Sequence, residues 1–241
     1  MTGSARELLD AVQAELAPRD EDNRLVPLIV EGRAPRAVFA AIAAEEHRIV
    51  RSDWRSFLLL ASRAEEQTAR EFFGGLAAGE GLALGKLAGL AAATGLDEDA
   101  LRDYEPRAGC QAYPAYFAWL ALNGEAAEVI VALIANFAAW GRYCAAIATA
   151  MRARYGFDDE ACGFFDFFAT PVPEVEAQAV TAVQVALDAG RLDVREARTY
   201  ARLFQSYELS FWNTLASPHP ASQLSQSGDI GSKMTASEVT E

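Results

Sequence analysis

The chain has 241 residues, with 21 Lys and Arg against 34 Asp and Glu, so its formal net charge at pH 7 is −13. This charge opposes nucleic acid or an anionic membrane as a partner, because both attract basic surfaces. Hydrophobic residues make up 51% of the chain, and Ala, Leu, Glu and Arg are abundant, which predicts an all-α protein with a sizeable core.

Cysteine and histidine usage limits the kinds of site that the chain can form. The three cysteines, Cys110, Cys144 and Cys162, are odd in number and lack CxxC spacing, so we expect neither a disulfide framework nor a zinc site. With only His47 and His219, a haem or di-iron site with several His ligands is nearly excluded. We therefore expect no metal and no cofactor. No targeting pattern opens the sequence, and a reducing cytoplasm is the simplest compartment.

Helical patterns follow one another along the chain, beginning with Ser4–Leu16 and Asp20–Val30. A nearly unbroken pattern from Pro35 to Phe73 predicts a long helix with a bend or break near Arg51–Trp54, loosened at its end by two glycines. The later patterns are 82–94, a short one from Asp97 or Asp99, 112–122, 125–151, 158–168, 175–187 and 194–216. We expect a single domain of roughly nine to eleven helices over 1–216, and a disordered tail over 217–241.

The most apolar helix, Glu125–Met151, organises the predicted core. Its uncharged segment, Val129–Gly141, covers about four turns, fewer than the roughly 18 residues of a membrane span, which predicts a buried helix instead. Asn136 is out of place in this segment, with Trp140 one turn later. A buried amide without a partner costs about 1–3 kcal/mol, so Asn136 either bonds a neighbouring backbone carbonyl or lines a pocket. This stretch alone favours the carbonyl.

Two carboxylates, Asp53 and Glu208, interrupt apolar helix faces. At helical spacing, the first has Ile49, Val50, Ser56, Phe57 and Leu60 beside it, and the second has Phe204, Phe211, Trp212 and Leu215. Burial raises a carboxyl pKa and suits proton transfer. The alternative is a buried ion pair, for example with Arg142 or Arg202. Because the two acids lie on helices far apart in sequence, a shared polar pocket is as well supported as two separate pairs.

Aromatic residues are dense in two further segments. One helix carries Tyr113, Tyr116, Phe117 and Trp119, and GFFDFF at 163–168 adds four phenylalanines. Aromatic walls can stack a flat ligand, although core packing explains most of these residues better. One helix cannot bury four neighbouring phenylalanines on one face, so some should line a cavity or an interface. We expect His47 on a solvated face and Cys110 to be the most exposed cysteine.

Four segments together resemble the signature segments of the TenA/thiaminase II family. They are RSDWRSFLLLA at 51–61, QAYPAYFAWL at 111–120, EVIVALIANFAAWGRY at 128–143 and SYELSFW at 206–212, and their order and spacing fit most of residues 5–216. The resemblance implies the all-helical haem-oxygenase-like fold in a single-domain bundle, assembled as a homo-oligomer (a dimer or, as is usual in the family, a tetramer). It also implies hydrolysis or binding of pyrimidines in thiamin salvage.

The resemblance also implies roles for particular residues. Asp53 matches the Asp that holds the aminopyrimidine, and Glu208 matches the catalytic Glu of the last helix. Tyr113 matches a pocket Tyr, and Phe168 approximately matches another as Phe. The other expected pocket residues are Asn136, Trp140, Ser56, Phe57 and Tyr207.

The departures from the family pattern concern the chemistry. The nucleophilic Cys of the family falls on Asn136 by register, and an amide cannot attack the pyrimidine carbon as a thiolate does. The aromatic three residues after the Asp is Ser56, and a pocket Tyr becomes Trp140. Cys144 lies two turns beyond Asn136 and points roughly 80° away around the helix, which makes it a poor substitute nucleophile. Some family members lack the Cys and use carboxylates with an activated water.

Two functional hypotheses follow. The first is a Cys-independent hydrolase of a pyrimidine or similar flat heterocycle, in which Glu208 handles the proton, Asp53 orients the ring and Asn136 holds substrate or water. The second is a non-catalytic relative that keeps the fold and the pocket and binds a small heteroaromatic molecule as a carrier, sensor or regulatory partner.

Overall fold

The computed structural model describes residues 4–217, so the expected disordered tail lies, apart from Ser217, outside the described residues. These residues form ten α-helices, a short 3-10 turn at Asp20–Asp22 and no strand. The helices are α1 (Ala5–Glu15), α2 (Leu25–Val30), α3 (Ala37–Arg63), α4 (Gln67–Ala93), α5 (Glu98–Asp103), α6 (Ala108–Asn123), α7 (Ala126–Tyr155), α8 (Asp159–Ala169), α9 (Pro173–Asp188) and α10 (Val194–Leu215). The all-α prediction is confirmed.

The long helical pattern from Pro35 to Phe73 is split into two helices, but at a different position from the one predicted. α3 runs without interruption through Arg51–Trp54, so the expected break there is wrong. The chain turns instead at Ala64, whose extended backbone (ψ 122°) ends α3 just before α4 starts. α4 continues through Gly74 and Gly75, which were expected to loosen a helix end. Packing against α3 and α8 holds α4 together, because tertiary contacts outweigh the low helix propensity of glycine.

α7 is the central helix, as predicted. It begins after Glu125 and ends at Gly156, whose φ of +68° supplies the left-handed residue that commonly ends a helix. Its 30 residues, like those of α4, are long and apolar enough to cross a membrane by length and composition alone, so the shortness of the uncharged segment Val129–Gly141 does not by itself exclude a span. In α7, however, 61% of the most apolar window is buried inside the fold, against 28% in α4. Burial in the core accounts for the apolar character of α7.

The buried apolar residues form two clusters, and the long helices pass through both. In α7, Val129–Ala135 belong to one cluster, whereas the residues from Ala139 to Met151 belong to the other. α10 divides in the same way, with Phe204 on one side and Phe211 on the other. Between the two clusters each of these helices carries a polar residue, and that level of the bundle contains the candidate site.

Candidate active site

Five helices contribute one polar side chain each at the boundary between the two apolar clusters. We call this set the polar layer; its members are Asp53 (α3), Glu80 (α4), Tyr113 (α6), Asn136 (α7) and Glu208 (α10). Asp53, Asn136 and Glu208 are only 4–5% exposed. Four of the five were predicted from sequence. The structure therefore brings together residues that lie up to 155 positions apart in the chain.

Glu208 is held by two hydrogen-bond donors from different helices. The Asn136 Nδ2 group donates to Glu208 Oε2, and the Trp212 indole Nε1 donates to Oε1 over 3.0 Å. Burial nevertheless raises the pKa of Glu208 to about 7, while the two hydrogen bonds and the more distant Arg142 hold it lower than burial alone would. The expectation that Asn136 bonds a backbone carbonyl is wrong, because its partner is this carboxylate.

Asp53 lies in the same layer, but fewer hydrogen bonds stabilise its carboxylate than that of Glu208. Burial, followed by the nearby carboxylates of Glu80 and Glu46, raises its pKa well above the usual range, and a hydrogen bond from Tyr113 offsets part of this effect. Within the described chain, the buried Oδ1 atom of Asp53 has no hydrogen-bond partner. Ser56, one turn later on α3, is also buried at 4% exposure.

Asp53 and Glu208 could each have been explained by a buried ion pair with an arginine. The described part of the structure contains no such pair for either acid. Among residues 4–217, no ion pair reaches Asp53 or Glu208. Arg142 acts on Glu208 only through space, and its guanidinium donates to the Ala138 carbonyl over 3.2 Å. The two acids therefore lie in one buried polar layer and not in two separate ion pairs with arginine.

Two acids near the layer were missed by the sequence reasoning. Glu80 is partly buried on α4, and burial raises its pKa to about 8. Glu46 is 3% exposed on α3, and burial together with neighbouring carboxylates raises its pKa well above the usual range. The sequence signal was available, because Glu80 has Leu76, Ala77, Ala83, Leu84 and Leu87 at helical spacing, and Glu46 lies seven residues before Asp53 on the same face.

The aromatic side chains divide into a group beside the layer and a group away from it. The Trp140 ring lies 5.3 Å from that of Trp212, the tryptophan that donates to Glu208, and 5.8 Å from that of Phe168. Phe57, by contrast, packs edge-on against Phe117 in one apolar cluster. The described ring contact of Tyr207 is with Tyr116, 5.0 Å away, so the structure does not join Tyr207 to the carboxylates.

Other expectations about single residues are corrected. Cys110 is fully buried, not the most exposed cysteine, because Ala108–Asn123 starts its helix before this position. His47 is partly buried, and burial lowers its pKa. Phe164 and Phe165 are fully buried in the core, whereas Phe167 and Phe168 are partly buried and pack against the same cluster.

Cavities and metal geometry add two further observations. One cavity of about 260 Å³ lies among α3, α4, α7 and α9, and another of about 460 Å³ lies beside α2 and α7; neither is lined by a member of the polar layer. Within residues 4–217, no group of three or more His, Cys, Asp or Glu side chains has the arrangement needed to hold a metal ion. The polar layer is thus an acidic and aromatic site separate from these two cavities.

Helices packed around a buried layer of carboxylates and aromatic rings define an all-helical protein with a heme oxygenase-like fold. A solved domain of unknown function with that fold, from Shewanella denitrificans OS217, matches with a TM-score of 0.64 and 12% identity over 98% of this chain and 95% of the other. The chain belongs to the TENA/THI-4/PQQC family, whose model matches residues 24–217.

Two further solved structures carry the family name. A protein described as a TenA family transcription regulator, from Silicibacter sp. TM1040, is 18% identical with a TM-score of 0.69, covering 90% of this chain and 98% of that one. A putative TenA-like thiaminase from Sulfolobus solfataricus P2 is 13% identical with a TM-score of 0.61, covering 89% and 96%. At these identities the likeness establishes the fold alone. A comparison with curated proteins returned no significant match.

Proposed function

We propose that this TenA-like protein is a Cys-independent hydrolase of a pyrimidine or similar flat heterocycle. The observation that carries the proposal is Glu208, a buried carboxyl with a pKa of about 7 that is fixed by donors from two sides. At neutral pH both of its protonation states are populated, so it can accept a proton and later return it. General acid–base catalysis is most efficient when the pKa lies near the working pH.

Each group of the layer has a role in this proposal. Glu208, as carboxylate, takes a proton from the water that attacks the electrophilic carbon of the substrate, and then gives a proton to the leaving group. Asn136 lies within hydrogen-bond contact of Glu208, so a water or substrate group held by the amide would lie beside the base. Asp53 has an unpartnered oxygen and orients a ring N–H or amino group.

The cysteine chemistry of the family is not assigned to this chain. By the register of the family resemblance the thiol position falls on Asn136, and an amide is not a nucleophile of that kind. Cys144 is fully buried, and burial together with the carboxylates of Glu46 and Glu208 raises its thiol pKa well above the usual range. Because the thiolate is the reactive form, Cys144 stays inert at neutral pH.

We also infer that the protein assembles with copies of itself, as the family resemblance implies. Exposed apolar side chains on α3 and α4 support this inference: Trp54 is 39% exposed, Leu58 51% and Leu82 63%. Size-exclusion chromatography with light scattering would give the mass directly. A monomer at micromolar concentration would contradict the inference.

The test of the proposed function combines binding with product analysis. The protein is titrated calorimetrically with hydroxymethyl-aminopyrimidine and with its aminomethyl analogue, and the same samples are analysed for hydrolysis products. We expect both compounds to bind and the aminomethyl compound to be hydrolysed to the hydroxymethyl compound with release of ammonia, and Glu208→Gln should lower this turnover about 100-fold or more while binding is kept. Glu174→Gln, at an exposed position of α9, is the matched control and should behave as the unmodified protein.

The outcomes separate the two functional classes. Binding without conversion in the unmodified protein would contradict the hydrolase and leave the non-catalytic binding protein. Absence of both binding and product would mean that the layer serves a different kind of molecule, and the thiamin-salvage part of the proposal would then be dropped.

A further inference from the structure

One buried acid outside the polar layer, Glu128, is only half satisfied by hydrogen bonds. Glu128 lies in the first turn of α7 and is 3% exposed. Its Oε1 atom accepts a hydrogen bond from the Asp193 amide over 2.7 Å, which joins α7 to the start of α10. Its Oε2 atom is buried and, within residues 4–217, has no hydrogen-bond partner. Because buried carboxylates are nearly always paired or hydrogen-bonded, this oxygen lacks the partner that its burial requires.

Glu128 lines the cavity of about 260 Å³ that lies among α3, α4, α7 and α9. The buried wall beside it is apolar and consists mainly of small side chains, among them Ala127, Ala182 and Ala186, together with Ile130. Because a cavity of about 150 Å³ can hold benzene, this one has room for a small organic molecule. Charged residues that are exposed or half-buried line the part of the wall that solvent reaches: Arg63, Glu65, Glu66, Glu125 and Arg191.

The arginines of this wall are engaged elsewhere, so neither of them neutralises Glu128. Arg63 donates to two backbone carbonyls at the end of α6. Arg191 pairs with Glu65 over 3.6 Å and also with Glu66. Among the described residues, no ion pair reaches Glu128. The wall carries four acids and two arginines in all, and its net charge therefore favours a cationic ligand.

A primary ammonium group meets these conditions better than a metal ion or an anion. In the part of the chain that the structure describes, no group of three or more His, Cys, Asp or Glu side chains has the arrangement that holds a metal ion. An anion would be repelled by the carboxylate of Glu128. An ammonium group has three donors, so it can bond Oε2 through a charge-assisted hydrogen bond, while an alkyl chain attached to it contacts the apolar wall.

We propose that this cavity binds a small alkylammonium ion, whose ammonium group donates to Glu128 Oε2 and whose alkyl chain packs against the alanines of α7 and α9. A neutral alcohol of the same shape leaves the carboxylate without a counter-charge, so the site selects the amine over the alcohol. No member of the polar layer lines the cavity, and the proposal does not rest on the proposed function.

Methyl NMR tests the proposal at the cavity itself. Protein labelled with ¹³C at the isoleucine methyl groups is titrated at pH 7 with pentylamine, pentanol and pentanoate, which share a chain length and are cationic, neutral and anionic. The Ile130 signal, assigned from its absence in Ile130→Val, should shift saturably with pentylamine, at least tenfold more tightly than with pentanol and not with pentanoate. The signal of Ile42, a buried residue of α3 in the other apolar cluster, should not shift.

Two variants with matched controls assign the binding to Glu128 and to the cavity. Glu128→Gln should reduce the preference for pentylamine over pentanol at least fivefold, whereas Glu174→Gln, at an exposed position of α9, should leave the preference unchanged. Ala186→Met fills the cavity and should abolish the Ile130 shift with both molecules. Its control is Ala177→Met, at an exposed position of the same helix.

Three results would overturn the proposal. They are the absence of a saturable Ile130 shift with pentylamine, equal affinity for pentylamine and pentanol, and tighter binding of pentanoate than of pentylamine. If Glu128→Gln does not fold because the contact with Asp193 is weakened, the preference in the unmodified protein and the effect of Ala186→Met still decide the proposal. No step of the experiment measures hydrolysis, so its outcome is independent of the proposed function.

Discussion

At the scale of single residues, the adjacent acids Glu45 and Glu46 show how burial can serve two different purposes. Both are nearly inaccessible, at 0% and 3% exposure. Glu45 is bonded by side chains of α6 and of the segment before it, and Arg107, its ionic partner, also donates to the Thr214 carbonyl over 2.9 Å. Glu45 thus joins α3 to α6 and to the end of α10, which is a structural role. Among residues 4–217 no ion pair reaches Glu46, and the charged groups that act on it are the carboxylates of Glu80, Glu45 and Glu208.

We expect Glu45→Ala to lower the free energy of unfolding by about 3–5 kcal/mol, because it leaves the buried Arg107 guanidinium without its counter-charge. Urea denaturation followed by circular dichroism measures the loss. The control is Glu15→Ala, which removes an exposed ion pair with Arg198 and should cost no more than about 1 kcal/mol. A loss in Glu45→Ala no larger than the control would show that the ion pair does not hold these helices together.

Replacing Asn136 should change the titration of Glu208. Asn136→Leu removes one of the two donors to the carboxylate, so the ionised form loses support and the pKa of Glu208 should rise above about 7. Carboxyl ¹³C NMR titration measures it, with the Glu208 signal assigned from its absence in Glu208→Gln. Asn123→Leu, which removes a surface hydrogen bond to the Trp119 carbonyl, is the control. A midpoint that falls or stays unchanged would contradict the role of Asn136.

At the scale of helices, the sequence predicted where helices start more reliably than where a helical pattern is interrupted. Asp158 was expected to open its helix, and its side chain caps α8 by accepting a hydrogen bond from the Ala161 amide. Asp97, one of two candidates for the start of α5, caps that helix through the Ala100 amide. Such caps are local chemistry that can be found in sequence. The path of α4 is not local, because its glycines are held in a helix by contacts with α3 and α8 that the sequence does not display.

The glycines of α4 give a prediction in which two similar substitutions act in opposite directions. A Cβ atom at Gly89 would lie 2.5 Å from the Glu160 carbonyl oxygen of α8, whereas a Cβ at Gly85, one turn earlier, would meet nothing within 4 Å. Gly89→Ala should therefore destabilise the protein by about 1–3 kcal/mol through overpacking. Gly85→Ala should stabilise it by roughly 0.5–1 kcal/mol through helix propensity.

Thermal unfolding of the two variants, measured side by side, checks this prediction. The melting temperature should fall for Gly89→Ala and rise for Gly85→Ala. Changes of the same sign would mean that α4 and α8 do not approach as closely as the structure has them.

At the scale of the whole molecule, the site is a property of how the helices align. Asp53, Asn136 and Glu208 could be found in sequence because each interrupts an apolar face within one helix. Their common level, between two apolar clusters, could not be found, because it depends on the packing of five helices. Glu80 was missed for the related reason that the region around it was not recognised as helix. Tyr207 and Phe57 were expected in the pocket, and their described ring contacts are with Tyr116 and Phe117.

The concentration of acids in one layer makes the stability of the whole protein depend on pH. In the folded state the pKa of Glu208 is about 7 and that of Glu80 about 8, while those of Glu46 and Asp53 are also raised. In the unfolded chain such groups ionise near pH 4. Between about pH 4 and pH 8 the folded state therefore binds more protons than the unfolded state. The contribution of these four acids to the free energy of unfolding is therefore largest below this window and falls as pH rises through it.

Substitutions of single acids can show whether the polar layer causes the change in stability over this pH window. The charged or titratable groups that face Glu208 and Glu80 are Glu46 and Asp53 on α3, Tyr113 on α6, and Arg142 and Cys144 on α7. A difference of one in pKa is worth about 1.4 kcal/mol, so the shift of Glu208 from 4.5 to about 7 is on the order of 3 kcal/mol. Glu208→Gln should remove that part of the change in the free energy of unfolding with pH. Glu80→Gln should reduce the change in the upper part of the pH window.

Urea denaturation at intervals between pH 4 and pH 8.5 measures these slopes. Repulsion within a chain of net charge −13 also grows as pH rises, so the comparison between variants matters more than the absolute slope. Glu174→Gln removes one negative charge from an exposed position and should keep the full slope. If Glu208→Gln and Glu174→Gln show the same dependence on pH, Glu208 is ionised at its ordinary pKa in the folded protein. The proton-transfer role proposed for it would then lose its physical basis.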